Sequence, residues 1–348
     1  MTDFSPLPWL VVDRLQRPLR DLRISVTDRC NFRCTYCMPR DVFGKGFVFL
    51  QRAELLSFEE IVRVARLATE LGVRKIRLSG GEPLLRHGVE RLVERLAELL
   101  DSDGKPVEVA MTTNGSLLAG RARGLKAAGL TRLTVSLDAL DDAVFHRMSD
   151  AGVPVAKVLQ GIEAAQAAGL QPLKVNAVIK RGVNEHEILP LVRRFHGSGV
   201  ILRFIEFMDV GTTNGWRLDD VVPAREILAR IDSEFPLVAV DAAYRGEVAQ
   251  RWQFADGGGE IGVVASVTQA FCEDCSRLRL STDGKLYTCL FAEKGADLRG
   301  PIRAGEDDAQ LRQRLLGVWQ GRMDQYSRLR QAATVFPLKK VEMSYIGG

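Results

Sequence analysis

The chain has 348 residues, of which 46% are hydrophobic and 26% charged, with a formal net charge of +4. That length buries a sizeable core and suits one barrel-sized unit with a smaller extension. The charges are interleaved rather than blocked, which speaks against nucleic acid as a partner, and no apolar run is long enough to cross a bilayer. The opening stretch, MTDFSPLPWLVVDRLQRPLRD, has no basic start followed by an apolar core, so no secretory leader is expected.

From Leu22 the chain alternates short apolar runs with amphipathic stretches. LRISVT (22–27) predicts a strand that runs straight into CNFRCTYCMP. A helix from Ser57 to about Leu71 follows, then strand KIRLSG (75–80), a helix from Val89 to Leu100 and strand VEVAMTTN (107–114). A helix around Leu117 to Ala128 leads to strand RLTVSLDA (132–139), with helical sequence from Asp141 to Ala168 behind it. LKVNAVIK (173–180) and ILRFIEFM (201–208) are strand-like, with helices near Glu185 to His196 and Ala224 to Ile231. Strand–helix units at this spacing predict a parallel sheet with crossover helices. A complete eight-unit barrel takes about 250 residues. Six units over 22–233 therefore predict an α/β fold, an incomplete (βα)6, three-quarter TIM-like barrel. In such architectures ligands gather at the carboxyl ends of the strands, so the chemistry is expected at one mouth.

After about Glu234 the alternation stops. EIGVVASVT (260–268) predicts a strand, and RLRLSTDGKLYTCL (277–290) a hairpin turning at Asp283-Gly284. One helix from Asp307 to Gln320 precedes an irregular tail that closes on Gly347 and Gly348. The expected division is an N-terminal segment (1–21), a barrel (22–233) and a smaller α+β extension (234–348).

The six cysteines fall into two triplets, Cys30, Cys34, Cys37 and Cys272, Cys275, Cys289. Soft thiolates this close together suit an iron–sulfur cluster or zinc. Zinc wants a fourth ligand, which only folding could supply, whereas a 4Fe-4S cluster held by three cysteines keeps one iron open. Free cysteines kept for metal suit a reducing, cytoplasmic compartment.

Other motifs carry two readings each. GGEP (80–83) after a strand is either a plain turn or a close backbone approach to a ligand. Arg23, Lys75, Arg77, Lys174 and Arg203 lie on predicted strands; facing inward they would need an anion, facing outward only water. In Cys275-Ser276-Arg277-Leu278-Arg279, alternation puts both arginines on one face beside the second triplet, where guanidinium forks suit phosphate oxygens.

The first triplet, with Tyr36 inside it, resembles the signature of the radical S-adenosylmethionine (SAM) superfamily. RDLRISVTDRCNFRCTYCMP, IRLSGGEPLLR, TTNG, VSLDAL, KVNAVIKRGVN, RFIEFMDVG, CEDCSRLRL to CLF and MSYIGG together resemble the GTP 3′,8-cyclase family, over nearly the whole chain. Ser79 and Ser276 stand where that family often has threonine and asparagine.

The resemblance implies two 4Fe-4S clusters, one on each triplet, with SAM on the first. It implies SAM contacts from Tyr36, Gly81, Ser136 and Met208. It implies GTP contacts from Arg23, Arg77, Thr112, Lys174 and the Arg277-Leu278-Arg279 run, with Lys75 and Arg203 as further candidates and Gly347 and Gly348 reaching the site. The implied reaction takes H3′ from GTP with a 5′-deoxyadenosyl radical and closes C3′ onto C8, the first step of molybdenum cofactor biosynthesis. A flavodoxin or ferredoxin as electron donor, cyclic pyranopterin monophosphate synthase downstream and a homodimer are expected partners on the same ground. Two other readings are a radical enzyme acting on peptides and a non-catalytic iron–sulfur carrier; turnover of a peptide, or a cluster indifferent to SAM, would distinguish them.

Overall fold

The computed structural model describes residues 11–332 and 340–347. β1 (Asp21–Ser25) buries Leu22 and Ile24 on one face and leaves Arg23 half-buried on the other. Alternation thus separates a helix-facing core from an inward polar face. The chain continues through α1 (Phe58–Glu70), β2 (Lys75–Ser79), α2 (Val89–Ala97), β3 (Glu108–Thr113), α3 (Ala122–Ala127), β4 (Arg132–Ser136), α4 (Asp142–Ser149) and α5 (Val155–Ala167). It then forms β5 (Leu173–Ile179), α6 (Ile188–Phe195), β6 (Ile201–Glu206) and α7 (Ala224–Asp232). The start of α1 is fixed by a capping box between Ser57 and Glu60. The helical stretch expected from Asp141 to Ala168 is broken where Asp150 takes a left-handed conformation (φ 41°), which splits it into α4 and α5.

The last third adds β7 (Leu237–Val240), β8 (Gln250–Phe254), β9 (Glu260–Val264), β10 (Arg277–Leu280), β11 (Lys285–Tyr287) and β12 (Ala296–Asp297). It ends in α8 (Arg299–Arg303), α9 (Asp308–Gln320), α10 (Tyr326–Ala332) and one turn, α11 (Met343–Ile346). Two of these helices lie where the sequence suggested an irregular tail.

All strands join one sheet in the order β12-β11-β10-β1-β2-β3-β4-β5-β6-β9-β8-β7. The six barrel strands pair in parallel and in sequence. β10 then lies parallel to the free edge of β1, and β9 parallel to the free edge of β6. The six-unit barrel is therefore extended to eight parallel strands, flanked by antiparallel β11 and β8. Among the described residues of 234–348 the strands form no sheet of their own; they extend the barrel's two edges. Among the described residues no helix is long and apolar enough to cross a membrane.

Candidate active site

One cavity of about 350 Å³ runs through the barrel and is lined by all six cysteines. The first triplet lies at the carboxyl mouth, in the loop after β1. The second lies at the other mouth, since Cys272 and Cys275 precede β10, which is parallel to β1, and Cys289 follows β11, which is antiparallel to β10. The cavity thus reaches beyond the carboxyl mouth, where the sequence places the chemistry, along the inward face of the strands to the second triplet.

The first cysteine loop is held by its neighbours' backbone. Arg33 N–H donates to Ser149 O and Thr35 N–H to Met148 O, tying it to the end of α4. Cys37 N–H and Met38 N–H both donate to Cys34 O, forming a tight turn. On the other side Gly81 N–H donates to Thr27 O at 2.7 Å and Glu82 N–H to Arg29 O at 2.8 Å. A Cβ on Gly81 would collide with Arg29 O, so only glycine lets these segments meet. Tyr36 OH donates to Asp138 Oδ2 at 2.8 Å, just beyond β4 and Ser136. Met208 lines the same mouth from the end of β6.

Three arginines form a row across the inner face. Arg23 on β1 is in register with Arg279 on β10 and with Arg77 on β2. Arg77 Nη1 donates to Thr112 Oγ1 at 3.1 Å and Thr134 Oγ1 at 3.3 Å. Lys174 and Arg203 continue the row on β5 and β6, Arg203 Nε donating to Asn176 Oδ1 at 2.9 Å. Lys75 differs, because Glu108 pairs with it at 2.7 Å. Among the described residues, Arg23, Arg77, Lys174 and Arg203 have no carboxylate partner within 4.0 Å, although all four are half-buried. Burial, then Arg279, Arg277 and Arg77, push Arg23 well below its ordinary value. Burial and then Arg203 bring Lys174 down to about 8. Guanidinium groups nonetheless stay charged in proteins. Repulsion therefore persists along the row, and a bound polyanion would relieve it.

Leu278 behaves differently from its neighbours: it is wholly buried in the apolar core, on the opposite face of β10 from Arg277 and Arg279. Its side chain does not line the cavity. Arg279 Nη1 donates to Gly347 O, bringing the tail to the arginine row. Gly348 lies outside the described residues.

Several site residues were not singled out by the sequence reading. Glu82, 1% exposed, accepts from Thr113 Oγ1 and Asn114 N–H at 2.7 Å and Leu84 N–H at 3.0 Å, joining the ends of β2 and β3. Burial raises its carboxyl to about 7 despite those donors. Around the second triplet, Arg17 Nη1 donates to Cys272 O at 2.8 Å, and Arg322 donates to Cys275 O at 2.6 Å and Cys275 Sγ at 3.1 Å. Arg277 adds contacts of 3.2 and 3.3 Å to the same sulfur. GGEP contained the signal for Glu82; nothing local marks Arg17 or Arg322.

The chemistry of the first donor set, three soft thiols, fits an iron–sulfur cluster. Each mouth offers three half-buried free thiols.

Residues 24–195 match the Radical SAM superfamily and residues 200–328 match Molybdenum Cofactor Synthesis C. The chain is 53% identical to the GTP 3′,8-cyclase of Acidothermus cellulolyticus, covering 97% of this chain and 98% of that one. It is 51% identical to the GTP 3′,8-cyclase of Xanthomonas axonopodis pv. citri, again over 97% and 98%. Among solved structures, Streptococcus suis SuiB bound to S-adenosylmethionine shares the fold, with a TM-score of 0.62 at 15% identity over 92% of this chain and 69% of that one. Full-length identity at this level, over a barrel with cysteine triplets at both mouths, means that this chain belongs to the GTP 3′,8-cyclase family of radical SAM proteins.

Proposed function

We infer that the chain converts GTP to (8S)-3′,8-cyclo-7,8-dihydroguanosine 5′-triphosphate, the first step of molybdenum cofactor biosynthesis. The observation that carries this reading is the row of cations without carboxylate partners between two cysteine triplets in one cavity. Such a row suits a triphosphate, and its position suits a nucleotide laid between the triplets.

In this reading Cys30, Cys34 and Cys37 hold one 4Fe-4S cluster and Cys272, Cys275 and Cys289 a second. When bound, the first cluster and SAM supply a 5′-deoxyadenosyl radical that takes H3′ from the ribose. The chain's own residues bind, orient and exclude water. Tyr36, Gly81, Ser136 and Met208 line the SAM end. Arg23, Arg77, Thr112, Lys174 and Arg203 grip the triphosphate, with Lys75 beside them. Arg277 and Arg279 sit where nucleotide and second triplet meet. In this division residues 22–233 supply the SAM end and the cations that grip the triphosphate, and 234–348 supply the second triplet with Arg277 and Arg279. A flavodoxin or ferredoxin would deliver the electrons in the cytoplasm, and cyclic pyranopterin monophosphate synthase would take the product; a homodimer is compatible with this scheme.

The test is 5′-deoxyadenosine release by anaerobically reconstituted protein with dithionite and SAM, comparing GTP, ATP and no nucleotide. GTP-dependent release with a cyclised guanine product is expected. Release indifferent to GTP would overturn the assignment of substrate.

A further inference from the structure

The segment 340–347 runs from the carboxyl mouth of the cavity to the arginine row inside it. Lys340, buried, donates from Nζ to Asp209 O at 2.8 Å and Asp209 Oδ2 at 2.6 Å. Asp209 is also 4% exposed and is held by Tyr326 OH at 2.5 Å and by Arg330. Glu342 accepts from Thr212 N–H at 2.9 Å and from the Thr212 and Thr213 hydroxyls at 3.0 Å. Its carboxylate fills the space where Gly211, at φ 64°, would carry a Cβ.

The loop so gripped begins at Met208, whose carbonyl accepts from Asn214 Nδ2 at 2.9 Å, closing the loop on itself. Further along, Ser344 N–H bonds the Cys37 sulfur, and Gly347 O accepts from Arg279. Gly347 has φ 76°, and a Cβ there would run into Ser79 Oγ, so the tail reaches the arginine row only as glycine.

We propose that Lys340 and Glu342, with Asp209 and Gly211, form a clasp whose residues position Met208 and Gly347 together, so that the SAM end and the nucleotide end of the cavity close as one unit. None of Asp209, Gly211, Lys340 and Glu342 lines the cavity, so they act as positioning residues. The two arms of the tail, one on the 208–214 loop and one on Arg279, share a single short segment. Releasing either arm therefore loosens the other. Buried charge pairs with several donors suit such a fixed-register role. The consequence for turnover rests on the cyclase reading above, whereas the mechanical linkage does not.

Two variants test it in the cluster-loaded full chain. Gly211→Ala places a methyl against the Glu342 carboxylate from the loop side, and Glu342→Gln removes the charge from the tail side. Hydrogen–deuterium exchange is followed in peptides covering 208–214 and 340–347, and cyclised product is counted per 5′-deoxyadenosine released. Each variant is expected to raise exchange in both segments, including the unaltered one. The product ratio is expected to fall about fivefold or more, the low end of an ordinary coupling between sites. Exchange that rises only in the altered segment, or that rises in both while the ratio stays at the wild-type value, overturns the clasp. If wild type itself gives no GTP-dependent product, the cyclase reading fails, while the reciprocity of exchange still decides the linkage.

Discussion

The phenol of Tyr36 and the carboxylate of Asp138 meet at 2.8 Å, joining the first cysteine loop to the end of β4 across a sequence separation of 102 residues. Burial raises Asp138 to about 6, opposed by donors from Val178 N–H and Tyr36 OH. An acid whose folded pKa is raised costs the fold stability, in full above that pKa and falling to nothing only below its unfolded value. Tyr36→Phe removes one donor to the carboxylate and lifts the folded pKa further. It should destabilise the metal-free protein by about 1–3 kcal/mol at pH 8 and by less at pH 5. Urea unfolding at the two pH values checks this, and an equal loss at both would contradict it.

Lys174 makes a prediction of the opposite sign. With its pKa near 8 in the free protein, the ammonium is charged at pH 7 and neutral by pH 9. A polyphosphate binds the charged form, so GTP affinity should fall as pH rises through about 8. Isothermal titration calorimetry from pH 7 to 9.5 should show that decline in the wild type. Lys174→Gln should bind more weakly at pH 7 and show a much flatter profile.

Gly81 and Gly46 form a matched pair. A methyl on Gly81 meets Arg29 O and Cys30 N, whereas one on Gly46 meets nothing within 4 Å. Gly81→Ala should displace the first cysteine loop, reducing the iron bound after reconstitution and costing about 1–3 kcal/mol of stability. Gly46→Ala should stay within about 0.5 kcal/mol of wild type and load iron normally. Iron analysis and thermal unfolding of both variants provide the comparison.

Arg17 and Asp13, 1% and 3% exposed, pair at 2.6 Å, and Arg17 also binds the carbonyls of Cys272 and Asp324. Arg17→Met leaves the buried Asp13 carboxylate with only the more distant Arg322 guanidinium, at 3.8 Å, and should cost about 3–5 kcal/mol. Adding Asp13→Asn removes the under-compensated charge, so the double variant should recover part of that loss. Chemical denaturation of the single and double variants measures it. A double variant less stable than Arg17→Met would show that the buried charge is not the cause.

The barrel strands were legible because LRISV, KIRLS and KVNAVI alternate core and inward residues at a period of two, a local pattern. The hairpin at Asp283-Gly284 was legible from its Asp-Gly turn signal, which is equally local. What could not be read was long-range pairing. Nothing in RLRL says that Arg279 lies beside Arg23, or that EIGVV runs beside β6. For that reason the second cysteine set was not assigned to the opposite mouth. Glu82 and Asp138 lay inside quoted motifs, yet their role emerges only when β2, β3 and the Tyr36 loop converge. Arg17 and Arg322 act on backbone carbonyls far away in the sequence, and such bonds leave no local periodicity.

The place of β10 beside β1 also bears on how the chain is made. β2 can cover one edge of β1 soon after both emerge from the ribosome, but the other edge stays bare until Arg277 to Leu280 arrive, late in synthesis. Pairings between such distant segments form slowly and leave strand edges exposed meanwhile. The nascent barrel is thus an open trough through most of translation, with the Cys30 loop already in place and reachable from the side. Iron delivered then would meet the first triplet before the last strands seal it. Chains truncated before β10 should accordingly take up iron at the first triplet faster than the complete protein, and lose it faster to a chelator.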